Sequence, residues 1–220
     1  MKKSEKRYFE YPRDIEELRG ISHLEGSLTI YGEKNLEGLR NLRHVEGQLI
    51  IRWFYEEPSL KGLENLRSVG STLEISGLSN LYSLEGLDNL RSVGELYVTE
   101  NPHLTSLEGL ENLRCVSCTI TIQGNRSLQT LVGLDSLESV GNLRIRDNQE
   151  LKSLVGLGSL KDTFMIEIED NYKLENLYGL CSLEKKTHLH LDGCGPRFDK
   201  RLEWGGLPSW AEVHGPKYRK

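Results

Sequence analysis

Seven Gly-Leu steps recur along this chain at intervals of 23 or 24 residues. Their glycines are Gly38, Gly62, Gly86, Gly109, Gly133, Gly156 and Gly179. A fixed period of roughly 20–29 residues is typical of solenoid proteins, in which each repeat buries its apolar edge only against its neighbours. The period therefore predicts a stack of coils, and it directs the search for function to a surface that the repeats share.

Each repeat contains one apolar-x-apolar triplet rich in β-branched residues, a pattern that predicts a short strand with one buried face. The apolar pairs are Leu28/Ile30, Leu49/Ile51, Leu73/Ile75, Leu96/Val98, Ile120/Ile122, Leu143/Ile145, Ile166/Ile168 and Leu189/Leu191. Because they fall at matching offsets, we expect the strands to lie side by side in a parallel sheet. The sequence thus predicts a mainly β fold, a leucine-rich-repeat-like parallel β-helix of about eight coils.

An asparagine follows the strand at one fixed offset in four successive coils. These residues are Asn101, Asn125, Asn148 and Asn171, and Cys194 has the same place in the last coil. Such side chains should point inward and bond the backbone of their own coil and of the next, since buried polar groups are normally satisfied. We interpret them as structural residues.

The periodic region, residues 18–194, lies between two segments that lack the repeat. Residues 1–17 contain a cluster of aromatic residues, and residues 195–220 contain two of the three tryptophans. An uncapped solenoid end would expose both core and edge strand. The sequence therefore predicts one solenoid domain with an N-terminal cap at 1–17 and a C-terminal cap and tail at 195–220.

Composition and charge argue against several classes of function. The net charge of −5 arises from 33 acidic and 28 basic residues that are interspersed, so no basic block predicts a nucleic-acid partner. No apolar run is long enough for a membrane span or follows the basic start as in a signal peptide. Four cysteines are too few for a disulfide framework. We expect a cytoplasmic protein, with export by a route lacking an N-terminal signal as the open alternative.

Motifs for catalysis or metal binding are weak. Cys115 and Cys118 form a C-x-x-C pair, but Cys181 lies three coils further on, about 14 Å away at the usual strand spacing, too far for a shared zinc ion. His188 and His190 lie on one side of a strand without a third ligand. No nucleophile-elbow, zinc-protease or phosphate-loop motif occurs. The sequence predicts no enzyme activity, no metal and no cofactor.

The outward residues of the predicted strands vary from coil to coil, whereas the inward ones do not. The central column is Thr29, Ile50, Glu74, Tyr97, Thr121, Arg144, Glu167 and His190, and the next is Tyr31, Arg52, Ser76, Thr99, Gln123, Arg146, Glu169 and Asp192. Variable positions on a rigid scaffold can encode specificity. We select Tyr97 and two predicted inter-coil ion pairs, Arg144–Glu167 and Arg146–Glu169, as candidate binding residues. A solvated face is the alternative.

Coil two places three aromatic residues in succession after Arg52, namely Trp53, Phe54 and Tyr55. Not all three can face the core, and aromatic and arginine side chains supply much of the energy at interfaces. We expect Phe54 to fill the corner of the coil, so Arg52, Trp53 and Tyr55 complete the predicted binding surface. Which of the three aromatic residues face solvent stays open at this point.

Units such as Leu66-Arg-Ser-Val69…Leu73-Glu-Ile75 and Ile120-Thr-Ile122-Gln-Gly-Asn125-Arg-Ser-Leu128 resemble the L domain of the insulin and epidermal growth factor receptors, a leucine-rich-repeat relative built as a short right-handed β-helix. The resemblance spans roughly Leu18 to Cys194 and includes a leucine three residues after the asparagine. It implies that the large sheet is the ligand-facing one. The export signal, cysteine-rich module, membrane span and kinase of those receptors are not recognised here, so receptor function is not implied.

These observations predict a non-enzymatic module that recognises one protein partner through the strand face and the coil-two aromatic stretch. The alternative is a secreted or surface-attached adhesin that binds glycans, with Trp53 or Tyr97 stacking on sugar rings. Recovery of polysaccharide in place of protein would favour that alternative.

Overall fold

A computed structural model describes residues 4–5, 15–32, 36–52, 59–184, 187–194 and 212–214 of the chain. They form a parallel β-solenoid of about seven turns. The helical elements among these residues are two 3₁₀ turns, Ile15–Leu18 and Glu37–Leu39. The predicted fold class is confirmed. No helix in this part of the chain is long and apolar enough to span a bilayer.

Twelve strands belong to one sheet, and the pairs are parallel. They are β1 (Ser4–Glu5), β2 (His23–Leu24), β3 (Leu28–Tyr31), β4 (His44–Val45), β5 (Leu49–Arg52), β6 (Ser68–Ser76), β7 (Ser92–Thr99), β8 (Cys115–Gln123), β9 (Ser139–Arg146), β10 (Asp162–Glu169), β11 (His188–Asp192) and β12 (Glu212–His214).

Eight of these strands carry the apolar triplets in the predicted register. The first apolar residues Leu28, Leu49, Leu73, Leu96, Ile120, Leu143, Ile166 and Leu189 pair in succession. The eight coils expected from the sequence are thus eight stacked strands joined by about seven complete turns.

Most strands also contain a second, short ladder that the triplet pattern did not predict. Val69 pairs with Val93, and the register shifts between Val69 and Thr72 before the triplet begins. In the first two coils the same ladder is formed by the separate strands β2 and β4, which pair with each other. In the first two coils the chain bends between the two ladders, at residues 25–26 and 46–47. In the following coils a register shift lies at the same place, and an irregularity of this kind bends a strand. This bend divides the surface into two faces.

The core is a narrow column of aliphatic side chains that runs through all the coils. The leucines that follow the asparagines, Leu104, Leu128, Leu151 and Leu174, are at most 1% exposed. They fill the core behind the corner of each coil. Because every coil repeats the same set of inward residues, the core has no centre and each coil depends on its two neighbours.

The glycines of the sequence period occupy a position that other residues tolerate poorly. Six of the seven have positive φ angles, between 108° and 118°. A Cβ atom at Gly109 would overlap the carbonyl of Leu84 in the preceding coil, and one at Gly133 would overlap that of Leu107. Both the backbone conformation and the close approach of the coils therefore require glycine, which explains the regular spacing.

The predicted asparagine ladder is present, and its four members are fully buried. Asn125 accepts a hydrogen bond from the Asn101 N–H at 3.1 Å and donates one from Nδ2 to the Val98 carbonyl at 2.8 Å. The other three make equivalent pairs of bonds. Each amide thus satisfies a donor and an acceptor of the preceding coil, and not of the next coil as expected, at a corner where no strand pairing is available.

Cys194 continues this ladder in the last coil. Its Sγ lies 3.8 Å from the Ile168 carbonyl, the acceptor that corresponds to the one each asparagine uses. Burial, and then the neighbouring carboxylates of Asp192 and Asp170, raise the pKa of the thiol to about 12. The thiol therefore stays protonated and able to donate, as its structural position requires.

Most residues of the two predicted caps, 1–17 and 195–220, lie outside the described residues. Two short strands from these segments are described: β1 pairs with β2, and β12 pairs with β11. They extend the sheet at both ends. The cap assignments and the domain boundaries at residues 18 and 194 stay predictions.

We expect Gly109→Ala to lower the free energy of unfolding by about 2–4 kcal/mol, because it combines backbone strain with overlap against the Leu84 carbonyl. Gly158→Ala is the control, since a Cβ at Gly158 meets nothing within 4 Å; it should stay within about 0.5 kcal/mol of wild type. Urea unfolding of both variants measures the difference. Equal losses would contradict the proposed role of the glycine column.

We expect Asn125→Ala to lower the free energy of unfolding by about 2–4 kcal/mol, because it leaves a buried N–H and a buried carbonyl without partners. Gln129→Ala removes a similar amide from an exposed position and should have little effect. The same unfolding measurement applies. A loss no larger than that of the control would show that the ladder does not stabilise the stack.

Candidate binding face

The two outward columns predicted from the sequence are formed by the structure. Strand pairing puts the eight residues of the central column in register, from Thr29 to His190, and likewise those from Tyr31 to Asp192. On strand β9, Leu143 and Ile145 are fully buried while the Arg144 side chain keeps 41% of its exposure. We call the surface formed by these two columns the main face.

Charged residues at the C-terminal end of the main face form a connected network. Arg144 Nε lies 2.8 Å from Glu167 Oε2, and Arg146 Nε lies 3.2 Å from Glu169 Oε2. Both predicted ion pairs are therefore present. Arg146 Nη2 also lies 2.9 Å from Glu167 Oε2, and His190 Nε2 lies 3.6 Å from Glu169 Oε1. The carboxylates neutralise the charges of both arginines and hold their side chains against the sheet, although Arg146 Nε makes no hydrogen bond to a described residue.

A second ion pair lies at the N-terminal end, and the sequence reasoning missed it. Arg52 Nε and Nη2 donate to the two carboxylate oxygens of Glu74, each at 2.6 Å. Ser76 donates a further hydrogen bond to Glu74 Oε1 at 2.8 Å. Arg52 is in register with Ser76, not with Glu74, so the contact is diagonal across two strands. The sequence did contain a signal for this ion pair, because opposite charges two positions apart on adjacent coils are close enough to interact.

The Arg52–Glu74 pair is ionised at neutral pH. Burial alone would raise the pKa of Glu74, but hydrogen bonds from Arg52 and Ser76 lower it overall. The hydrogen bond to Glu74 raises the pKa of the Arg52 guanidinium. Planar two-point contacts of this kind combine charge with fixed geometry, so the Arg52 side chain is held in one orientation on the main face.

Between these two charged ends the main face is uncharged. Tyr97 lies in the central column between Glu74 and Thr121, and Thr99 lies beside Gln123. Burial, and then the nearby Glu95 carboxylate, raise the pKa of Tyr97, so its hydroxyl stays neutral. The centre of the face therefore presents one aromatic ring and short polar side chains, bordered by paired charges at both ends.

Two of the eight predicted binding residues, Trp53 and Tyr55, lie outside the described residues, as does Phe54. The remaining six, Arg52, Tyr97, Arg144, Arg146, Glu167 and Glu169, all lie on the main face. Their binding role stays a prediction. The question of which coil-two aromatic residue faces solvent also stays open.

Two shallow depressions lie on the described surface. One of about 400 Å³ lies at the end of the main face and is lined by Met165, Glu167, Glu169, His188, Leu189 and His190. Another, of about 320 Å³, is lined by Arg114, Glu138 and Lys161 with neighbouring small residues. Among the described residues no group of three or more His, Cys, Asp or Glu side chains is placed to hold a metal ion.

Cys115, the first residue of the C-x-x-C pair, lies in the short ladder in register with Ser92 and Ser139, and Cys118 lies at the register shift that follows. Both cysteines are exposed and free. A small side chain at this position is what the neighbouring coils also have. The register therefore accounts for Cys115 as a replacement of serine.

Comparison with known proteins identified no relative: no family model, curated protein or solved structure matches the chain.

We expect Glu74→Gln to reduce the loss of stability between about pH 6 and about pH 3. The folded-state pKa of Glu74 is lowered, so its stabilising effect is present above the ordinary value of about 4.3 and is lost as the pH falls. Arg52→Gln should reduce the loss similarly. Because the pair is partly exposed, the change should be below about 1 kcal/mol.

Chemical unfolding at several pH values tests this. Arg126→Gln is the control, since Arg126 is exposed and has no ion pair among the described residues; it should keep the wild-type pH dependence. An unchanged pH dependence in both pair variants would show that the Arg52–Glu74 contact does not stabilise the fold.

Proposed function

We propose that this protein is a non-enzymatic recognition module that binds a protein partner through the main face. The arrangement of the face supports this proposal. Its centre combines Tyr97 with small uncharged side chains, and its ends carry ion pairs. Protein interfaces have the same composition, with few charges and enriched aromatic residues at the centre and a polar rim.

The paired charges suit the rim of such an interface. Arg52, Arg144 and Arg146 are already held by carboxylates, so a partner would not have to order them on binding. Pre-ordered side chains lower the entropic cost of association. Trp53 and Tyr55 follow Arg52 in the sequence, and in this proposal they extend the contact surface at the N-terminal end as aromatic anchors.

The resemblance of the repeats to the receptor L domain also supports this choice of surface. A leucine-rich-repeat relative with L-domain-like coils would bind its ligand through the large sheet, which carries the main face. The depression at the end of the main face is open and shallow, which suits contact with a protein surface better than enclosure of a small substrate. With four cysteines in 220 residues, we place the module in the cytoplasm.

Affinity capture with matched variants tests the function. Tyr97→Ala should weaken the binding of a partner captured by wild type at least about tenfold, the effect of losing a central anchor. Arg144→Ala combined with Arg146→Ala, and Trp53→Ala combined with Tyr55→Ala, should also weaken it. Tyr82→Ala is the control, because Tyr82 is 61% exposed outside the main face.

Equal recovery of every partner by wild type and all of these variants would remove the main face from consideration. Recovery of polysaccharide in place of protein, with loss on Tyr97→Ala, would replace this proposal with the glycan-binding adhesin.

A further inference from the structure

Four arginines form an exposed stripe on the other side of the bend from the main face. Arg43, Arg67, Arg91 and Arg114 each directly precede a strand of the short ladder, and all four are exposed. The N–H of Arg67 donates to the Arg43 carbonyl at 2.8 Å, and the same bond joins Arg91 to Arg67 and Arg114 to Arg91. At the usual strand spacing of about 4.8 Å the stripe is about 14 Å long.

The arginines of the stripe differ from those of the main face in that no carboxylate among the described residues pairs with them. Arg52, Arg144 and Arg146 on the main face all contact glutamates. The four side chains of the stripe have no ion pair or hydrogen bond among the described residues. Like charges at neighbouring positions of adjacent strands repel each other and destabilise a sheet. The fold therefore gains nothing from this arrangement.

The same column changes character after Arg114. Backbone bonds continue it through Glu138, Lys161 and Glu184, so the sign of the charge alternates from coil to coil in the C-terminal half. Opposite charges on adjacent strands stabilise a sheet, so this alternation of charge is the favourable arrangement. The unbroken positive stretch is confined to four successive coils, and sheet stability does not account for it.

The groups beside the stripe narrow the choice of ligand. Three residues before each of the last three arginines stands a carboxylate, at Glu64, Asp88 and Glu111. Each one accepts a hydrogen bond at 2.9 Å from a glycine N–H in its own turn. The stripe has only four arginines with a column of carboxylates beside it. A nucleic acid that extends beyond the stripe would meet these carboxylates and neutralise few phosphates, and its affinity depends on the number neutralised. A short acidic segment fits within the stripe.

We propose that the arginine stripe binds an extended acidic segment of a protein partner. A stripe of about 14 Å matches four or five residues of extended chain at about 3.4 Å each. Guanidinium groups pair with carboxylates through two parallel hydrogen bonds. No carboxylate among the described residues pairs with the four exposed guanidinium groups of the stripe, so they are available to a ligand. The register shift between Val69 and Thr72 lies between the stripe and the main face, and a strand bends at such an irregularity, so this site is distinct from the one proposed above.

Fluorescence anisotropy with a labelled peptide of eight glutamates tests the proposal, with an eight-glutamine peptide as the neutral probe. Wild type should bind the acidic peptide only, and more weakly as salt rises. Arg67→Gln combined with Arg91→Gln should weaken binding at least about tenfold. Arg126→Gln combined with Lys152→Gln removes two exposed charges elsewhere and should change the affinity less than about twofold.

Two further measurements separate binding at the stripe from binding at the main face and from a role of these arginines in stability. Tyr97→Ala should bind the acidic peptide with wild-type affinity, so failure of the main face and failure of the stripe are distinguishable. The Arg67→Gln/Arg91→Gln protein should unfold at an equal or higher urea concentration than wild type at low salt, because repulsion is relieved.

Equal weakening by the stripe double variant and the control double variant would overturn the proposal, since it would show a general charge effect. Tighter binding of a single-stranded oligonucleotide of matched charge through the same arginines would overturn it in favour of a nucleic-acid site. A lower urea midpoint in the stripe double variant would overturn the argument that these arginines do not serve the fold.

Discussion

The close contact between successive coils at the glycine corner sets the geometry of the whole solenoid. At Gly109 and Gly133 the backbone of one coil lies against a carbonyl of the coil before it, with no room for a side chain. The asparagine ladder holds the opposite end of the strand with two hydrogen bonds per coil. Because the coils are fixed at both places, residues about 23 positions apart become direct neighbours across the sheet, and every surface feature follows from that adjacency.

This adjacency produces two surfaces with different electrostatic character. On the main face, neighbouring coils bring Arg144 against Glu167 and Arg52 against Glu74, so charges are neutralised within the molecule. Before the bend, the same stacking brings Arg67 beside Arg91, and their charges add. The first surface suits a partner that covers an aromatic centre, and the second suits a ligand that supplies negative charge. A rigid stack can hold both because the bend keeps them on separate faces.

Much of the fold could be predicted because each inward residue is repeated. The apolar triplets gave the strands and their register, the asparagine offset gave the buried ladder, and the register predicted the pairs Arg144–Glu167 and Arg146–Glu169. The contacts that were missed are those between residues that are not paired directly across adjacent strands. Arg52 reaches Glu74 diagonally, which depends on side-chain length and rotamer and not on register. The short ladder before the triplet has too few residues to show an alternating pattern, and so the bend was not predicted.

The sequence by itself determined that this chain stacks, how long each coil is, and which side chains fill its core, because glycine, asparagine and leucine recur at positions whose space and hydrogen bonds suit those residue types. The tertiary structure alone decided how the outward residues group into surfaces. Whether two charges on adjacent coils neutralise or reinforce each other depends on the bend and on the reach of each side chain. Those distances exist only once the coils are in contact.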